Sequence, residues 1–298
     1  MQELSPIALF VYNRPNHTRQ TVEALLKNEL AVESDLYIFS DAPKNSELAT
    51  LVMDVRDYVR TISGFKSVNI IEQTKNIGLA NSIIMGVTSL CKKYGRVIVL
   101  EDDIVTSHHF LRFMNDSLCL YEQDAQVVSI HGYMFPVKSE LPETFFLKGA
   151  NSWGWATWSR AWQLFEPDGI KLLDEMRRRR LIHEFDLNGS YPYSKMLEDQ
   201  IAGKNDSWAI RWRASVFLSS GLTLFPGVSL VRNIGFDSSG VHCGNTDEFE
   251  VILAEEAINV LRIPLEECEK SLDTLRLYYR AQKLSIVGRI LRRFRRVL

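Results

Sequence analysis

The sequence predicts an α/β protein built on a mixed, mostly parallel sheet that is flanked by helices. Through the first hundred residues, apolar runs of strand length alternate with segments whose apolar residues recur at helical spacing. The segment 96–100 is almost wholly apolar, which is typical of a strand buried on both faces of a parallel sheet. With 298 residues, of which 46% are hydrophobic, the chain is long enough for one large domain or two small ones.

The elements of the first half follow one another in a regular order. Asn-Arg-Pro ends the first apolar run, and a turn at Asp41-Ala42-Pro43 ends the second. The predicted order is strand 6–12, helix 14–28, strand 35–40, helix to residue 58, strand 68–72, helix 78–93 and strand 96–100. From about residue 129 the pattern is less regular and rich in Trp, with short strands predicted at 144–147 and 222–225.

Polar residues stand where these strands end. Arg14 follows the first strand, Asp41 follows the second, and Glu101, Asp102 and Asp103 follow the fourth. In open α/β sheets, ligands bind beyond the carboxyl ends of the strands, so we expect one crevice assembled from distant segments. Carboxylates beside an arginine there suit a hard divalent cation that bridges to phosphate. The alternative is that these acids only cap the following helix.

The sequence argues against several classes of protein. No GxxxxGK[ST] motif occurs and no GxGxxG follows the first strand, which argues against a P-loop NTPase and a dinucleotide-binding Rossmann domain. The net charge of −2 and the pI near 6.3 argue against nucleic acid as a partner. No apolar stretch reaches the roughly 18–20 residues needed to cross a bilayer, and the N-terminus lacks a signal sequence, so we expect a cytoplasmic protein.

Four motifs of the first half carry a family resemblance. The runs YNRP, FSDAP, KNIGLANS and VIVLEDDIVTSHHFLRF resemble the donor half of GT-A fold glycosyltransferases. The EDD with its flanks is most similar to the N-acetylglucosaminyltransferase I family, and SWGWATWSRAWQLFEPD, NDSW and FDSSGVHCG continue the resemblance to about residue 244. It implies a GT-A catalytic domain over 1–268, with a donor-binding half at 1–128 and an acceptor-binding half at 129–268, followed by a tail at 269–298.

The resemblance also implies an activity. It is the metal-dependent, inverting transfer of a sugar from a UDP-sugar, with UDP-GlcNAc as the donor, to a hydroxyl of a glycan or lipid-linked glycan acceptor. The cofactor would be Mn²⁺ or Mg²⁺. Carried over by position, Arg14 meets the nucleotide or its phosphates, Asp41 hydrogen-bonds the uracil, Glu101 lies near the transferred sugar, Asp102 lies near the ribose, and Asp103 binds the metal.

Two further positions come from the acceptor half. His242 corresponds to a residue that faces the metal or the diphosphate, and Asp206 of NDSW corresponds to the catalytic base. The family reads DDW where this chain reads DSW, so Asp199 and Glu198 remain reserve candidates. Asp206 also precedes a helix-like stretch, where a capping role is the alternative.

Other polar and aromatic groups have structural interpretations beside functional ones. His108 and His109 are expected to open the next helix. The tryptophans Trp153, Trp155, Trp158 and Trp162 have a spacing that puts some of them on one helix face, either in the core or along an acceptor pocket. The arginine run 177–180 is expected to be a solvated helix face, and a phosphate-bearing acceptor is its alternative ligand.

The C-terminal tail has an unusual charge. After Asp273 there are eight basic residues and no acid, so the tail carries +8 and the rest of the chain −10. Residues 285–298 place apolar side chains on one face and arginines opposite, which predicts a basic amphipathic helix on an anionic inner membrane surface. Docking on the acidic body and nucleic-acid binding are the alternatives. For the whole protein, a sugar-phosphate nucleotidyltransferase and a non-catalytic, membrane-recruited binding protein also remain open.

Overall fold

A computed structural model describes residues 3–237 and 248–294, with side chains as far as Lys283. Eight strands form one sheet in the order β3-β2-β1-β4-β8-β6-β9-β7, and β5 pairs with β10 in a separate two-stranded ribbon. The strands are β1 (Ile7–Val11), β2 (Asp35–Ser40), β3 (Ser67–Glu72), β4 (Arg96–Glu101), β5 (Ile104–Thr106), β6 (Val127–His131), β7 (Thr144–Lys148), β8 (Trp155–Trp158), β9 (Leu222–Pro226) and β10 (Val231–Asn233). The helices are α1 (Pro15–Leu26), α2 (Ala49–Val59), α3 (Leu79–Tyr94), α4 (Phe110–Leu120), α5 (Ser159–Trp162), α6 (Gly169–Arg178), α7 (Ile182–Phe185), α8 (Tyr193–Ile201), α9 (Trp208–Leu218) and α10 (Glu269–Phe294).

The first four strands of the large sheet run parallel to one another. β1 lies between β2 and β4, and Phe10 is in register with Glu101 while Val11 is in register with Ser40. All five residues of β1 are buried, as are the four central residues of β4, because helices cover this part of the sheet. The carboxyl ends of the strands therefore meet at one edge, which brings Arg14, Asp41 and the acids after β4 to the same side of the molecule.

The second half of the sheet is mixed. β8 runs antiparallel between β4 and β6, β6 pairs parallel with β9, and β7 closes the sheet antiparallel to β9. The predicted fold class, a mixed and mostly parallel central sheet flanked by helices, is confirmed. The helical interpretation of the tryptophan spacing is wrong, since Trp155 and Trp158 lie in strand β8 and Trp162 ends the short helix α5.

The C-terminal helix α10 is anchored on the body of the protein through its first half. Leu272, Leu275 and Tyr279 are buried in the core, and the Tyr278 hydroxyl donates to the carbonyl of Glu248. The backbone stays helical to Phe294, whereas the apolar and basic faces predicted for the tail fall on side chains outside the described range. Within that described part, no helix combines the length and the apolar character needed to cross a membrane.

Candidate active site

The three acids after β4 form the centre of the candidate site. Glu101 ends β4 and is half-buried, whereas Asp102 and Asp103 occupy the tight turn into β5 and are 4% and 8% exposed. A strand, not a helix, follows this turn. His109 occupies the N-cap position of α4 without a side-chain hydrogen bond to the helix, and His108 precedes it. The alternative in which the acids cap a helix is therefore wrong, while the prediction that the two histidines open the next helix is confirmed.

Arg14 joins the acidic cluster from the end of β1. Pro15 fixes the first turn of α1, which leaves Arg14 at the N-cap position with its side chain turned toward β4. Its Nη2 donates to Asp103 Oδ2 at 2.9 Å, and its guanidinium also pairs with both carboxylate oxygens of Asp102. The structure thus brings together four of the predicted site residues, Arg14, Glu101, Asp102 and Asp103.

Charge in this cluster is unbalanced, because three carboxyl groups share one guanidinium. Burial, then the neighbouring Asp103 and Asp102, raise the pKa of Glu101 to about 8. Burial likewise raises the pKa of Asp102 to about 6, against the opposing effect of Arg14. Burial alone would lower the pKa of Arg14, but the two aspartates outweigh it and raise that pKa. The site therefore has unmet negative charge.

That unmet charge fits a hard divalent cation. Among the described residues, no group of three or more His, Cys, Asp or Glu side chains is arranged to hold a metal ion alone. Mg²⁺ and Mn²⁺ need no such group, since they usually take one or two carboxylates and complete their shell with water and substrate phosphate. Asp103 is the more exposed of the two aspartates, so its carboxylate is the better placed of the two to bind such a cation.

Backbone contacts fix the position of the two aspartates. Thr21 Oγ1 donates to the carbonyl of Asp102 at 2.8 Å, and the amide of Ile234 donates to the carbonyl of Asp103 at 2.9 Å. Gly235 lies so close that a Cβ there would stand 2.2 Å from Asp103 Oδ2. The sequence pattern missed both Thr21 and Gly235. Thr21 is seven residues from Arg14 and so lies on the same face of α1, a signal that was available, whereas nothing in the sequence singled out Gly235.

Asp41 lies at the same sheet edge but has protein partners of its own. Its two oxygens accept hydrogen bonds from the amides of Ala42, Ile77 and Gly78 and from the side chain of Asn76, at 2.8–3.2 Å. Gly78 precedes α3 with a φ of +78°, a conformation that favours glycine. Asp41 therefore holds the loop before α3, and its assignment to the uracil stays a prediction.

Asp206 occupies an exposed position before α9. The helix is capped by Ser207, whose hydroxyl accepts from the amide of Ile210, so the capping alternative for Asp206 is wrong. The Asp206 side chain is 66% exposed and accepts a hydrogen bond of 3.0 Å from buried Arg211. Its carboxylate has free acceptor capacity, which a general base requires.

Contacts of the next residues place the start of α9 near the acidic cluster. Trp208, two residues after Asp206, stacks on Trp155 with ring centroids 5.3 Å apart. Trp155 in turn is in register with Val99, two residues before Glu101. Within the described residues, no hydrogen bond or ion pair joins Asp206 to the acids.

The reserve candidates for the base are engaged in ion pairs. Asp199 accepts from Lys195 at 2.5 Å and from Lys204 at 2.8 Å, and these two hydrogen bonds lower its pKa. Glu198 pairs with Arg177 at 3.1 Å. Asp206 also has one ion pair, with Arg211, but at 66% its side chain is more exposed than those of Glu198 at 43% and Asp199 at 28%. The other predicted residue of the acceptor half, His242, lies outside the described residues.

The tryptophans and arginines of the second half have mainly structural contacts. Trp155, Trp158 and Trp162 are buried, which confirms the core interpretation for them, and Trp153 is half-buried against Tyr133 and two phenylalanines. The arginines at the end of α6 pair with nearby acids: Arg177 with Asp174 and Glu198, and both Arg178 and Arg179 with Glu175. They form a solvated, internally paired helix end, as predicted.

A cavity of about 610 Å³ opens beyond the ribbon of β5 and β10 and not over the acids. Thr106, Ser107, His108 and Arg232 contribute to its lining, together with residues 250–255. Asp103 and this cavity are separated by the length of β5. The acidic cluster, not the cavity, defines the candidate site, because only the cluster combines buried charge with unmet ligand capacity.

No family model matches the chain, and no curated protein does. Among solved structures it is similar to the mannosyltransferase PcManGT from Pyrobaculum calidifontis in complex with GDP-Man and Mn²⁺, with 12% identity and a TM-score of 0.31 over 43% of this chain and 35% of that one. It is also similar to S. aureus TarS, with 11% identity and a TM-score of 0.33 over 52% of this chain and 28% of that one. A putative nucleotide-diphospho-sugar transferase from Desulfovibrio desulfuricans G20 gives 15% identity and a TM-score of 0.37, over 60% and 78% of the two chains.

The chain therefore spans about a third or less of the length of the first two structures. Likeness this weak does not place it in any of these families.

Proposed function

We propose that the chain is a metal-dependent, inverting glycosyltransferase that moves a sugar from a UDP-sugar to a hydroxyl of a glycan or lipid-linked glycan in surface-polysaccharide synthesis. One observation carries the proposal: Asp102 and Asp103, which follow Glu101 at the end of β4, pair with Arg14 at the end of β1. A buried cluster with excess negative charge at the carboxyl edge of a sheet suits a cation and a nucleotide diphosphate.

In this proposal Asp103 holds Mn²⁺ or Mg²⁺, whose chemistry is to neutralise the charge that develops on the departing diphosphate. Arg14 orients the two aspartates through its hydrogen bonds and adds positive charge beside the phosphates. Asp102 lies next to the ribose and Glu101 next to the transferred sugar. Asp41 keeps the loop before α3 in place at the base-binding end. UDP-GlcNAc as the donor follows from the family resemblance alone.

The proposed base is Asp206, which would take the proton of the acceptor hydroxyl as that oxygen attacks the anomeric carbon. The proposal rests on its exposure and on its free acceptor capacity. Arg211, which is 8% exposed, holds the carboxylate through one oxygen and leaves the other for the acceptor. A single base without a second nucleophile favours inversion. The basic tail would hold the enzyme on the inner membrane surface, where a lipid-linked acceptor is located.

Calorimetric titration of UDP, with Mn²⁺ and then with EDTA, tests the proposal on the wild type and on Asp103→Ala. We expect binding with metal, none in EDTA, and a loss of at least tenfold in affinity in Asp103→Ala. Asp116→Ala is the matched control, because Asp116 lies on the surface of α4 and makes only an exposed ion pair at 3.8 Å with Arg112.

Other outcomes have separate meanings. Binding of GDP, CMP or dTDP in place of UDP would change the donor and keep the enzyme class. Release of pyrophosphate from UTP and a sugar phosphate would favour the nucleotidyltransferase. If no nucleotide binds under any condition, the glycosyltransferase proposal fails and the non-catalytic binding protein becomes the favoured alternative.

A further inference from the structure

Arg213 is a buried arginine on α9. Its described contacts include none of the residues of the proposed catalytic site. It is 7% exposed, and its Nη1 donates to Asn151 Oδ1 at 3.0 Å and to the carbonyl of Ala150 at 3.4 Å. The guanidinium carbon lies 3.7 Å from the ring centroid of Tyr193, a cation–π contact. Within the described residues, no carboxylate lies within 4.0 Å of its nitrogens.

The hydrogen-bonding capacity of Arg213 is incompletely used. Its Nε is buried and has no hydrogen-bond partner in the part of the chain that the structure describes. A guanidinium keeps its charge at every accessible pH, so Arg213 cannot shed the charge by losing a proton. Burying such a charge without a counter-ion is costly, because the interior does not replace the lost hydration. Arg211, two residues earlier, is equally buried but has Asp206 as its anion.

Arg213 lines a small cavity of about 20 Å³, which is room for one water-sized particle. Its other walls are largely aromatic and aliphatic and include Tyr193, Phe225, Leu272 and Tyr279. Lys148 also contributes, but its charge is balanced by Glu184 and Glu267 at 2.8 and 3.6 Å. The lining therefore presents one uncompensated positive charge to an enclosed space.

The neighbouring histidine adds no charge beside Arg213. His131 is 1% exposed, and burial together with the charge of Arg213 lowers its pKa to about 3. Its imidazole is neutral near neutral pH, and its Nδ1 has no hydrogen-bond partner. Within the described residues, no anion therefore offsets the charge of Arg213.

We propose that this cavity binds one monovalent inorganic anion of chloride size against the Arg213 guanidinium. The anion would accept from the Arg213 guanidinium and neutralise the buried charge, between α9 and the wall formed by the first half of α10. It is a structural ligand, independent of the proposed glycosyl transfer.

The test is thermal unfolding of the full chain in sodium chloride against sodium gluconate at constant ionic strength. We expect the wild-type melting temperature to rise by about 3 °C with chloride and to saturate, because a ligand that binds only the folded state stabilises it. Arg213→Met should show no chloride dependence. Arg211→Met, which removes an equally buried arginine from the same helix, should retain it.

Equal melting temperatures of the wild type in the two salts would overturn the proposal, as would a chloride effect that survives in Arg213→Met. Should Arg213→Met fail to fold, crystals of the wild type grown in sodium bromide decide the matter. An anomalous bromide peak beside Arg213 supports the site, and a cavity that holds water alone overturns it.

Discussion

Glu101 is the residue whose ionisation is most affected by the candidate site. Burial and the two aspartates raise its pKa from an ordinary 4.5 to about 8. Between these values the unfolded chain has released the proton and the folded protein retains it. The folded state then binds more protons than the unfolded state, so the contribution of Glu101 to stability falls as the pH rises through this window.

The metal-free protein should therefore lose stability between about pH 5 and pH 8, by several degrees in melting temperature. Glu101→Gln, which is neutral at every pH, should flatten that decline. The comparison has an internal control below about pH 4, where the wild-type side chain is neutral in both the folded and the unfolded state and the two proteins should melt together. Parallel melting curves across the whole range would show that Glu101 ionises normally.

Gly235 controls the space beside the Asp103 carboxylate. A Cβ at this position would lie 2.2 Å from Asp103 Oδ2 and 3.1 Å from Arg14 Nη1, so one of these groups has to move. We expect Gly235→Ala to weaken Mn²⁺-dependent UDP binding at least tenfold, measured by calorimetry. Gly203→Ala is the control, since its Cβ meets open space and any loss there reflects only backbone strain at a φ of +70°. Unchanged UDP affinity in Gly235→Ala would contradict a ligand role for Asp103.

Asp206 and Ser207 are neighbours with separable roles. Asp206→Asn should lower kcat by about 10²- to 10⁴-fold if the carboxylate is the base, and it should also lower the free energy of unfolding, because the Asp206 carboxylate is the anion that pairs with buried Arg211. Ser207→Ala should cost about 1 kcal/mol of stability through the lost cap and leave kcat near its wild-type value, so kcat distinguishes the two residues. Activity that survives in Asp206→Asn would transfer the role to another group.

At the scale of elements, the link between β2 and α3 depends on Asp41. Asp41→Ala would leave the buried amide of Ala42 and the half-buried amides of Ile77 and Gly78 without their acceptor. We expect a loss of about 3 kcal/mol in the free energy of unfolding, measured by urea denaturation. Asn45→Ala is the control, because it removes an exposed cap from a short 3₁₀ turn and should cost below about 1 kcal/mol. If Asp41→Ala leaves the free energy of unfolding unchanged, the carboxylate serves a ligand and not the loop.

Local patterning predicted the parallel elements well and the antiparallel ones poorly. The strands β1, β2 and β4 contain continuous apolar runs followed by polar residues, so both their existence and the polar edge were readable. β8 is four residues long with two tryptophans, and its pairing with β4 depends on contacts across more than fifty residues. The ribbon of β5 and β10 is equally nonlocal. Gly235 belongs to this missed part, so the acids were predictable and their packing was not.

At the scale of the whole molecule, charge is divided between the body and the C-terminal helix. The segment after Asp273 carries +8 from its eight basic residues, whereas the rest of the chain carries −10. The first half of α10 is nonetheless part of the fold, because Leu272, Leu275 and Tyr279 are between 4% and 6% exposed. Docking of the basic stretch 285–298 on the acidic body stays an alternative prediction, because the side chains of that stretch lie outside the described range. The amphipathic stretch predicted to meet the membrane lies after the first half of the helix.

Two truncations separate these functions of the helix. A chain that ends at Lys283 keeps the buried residues Leu272, Leu275 and Tyr279 and should melt within about 1 °C of the wild type, while losing sedimentation with vesicles of phosphatidylglycerol. A chain that ends at Cys268 also loses Leu272, Leu275 and Tyr279, and should be destabilised by several kcal/mol because each buried apolar side chain contributes roughly 1.5–3 kcal/mol. Vesicles of phosphatidylcholine are the control for charge, since the predicted attraction needs an anionic surface. If the chain that ends at Lys283 binds anionic vesicles as well as the wild type does, the membrane contact lies on the body, and the basic residues after 283 serve another partner.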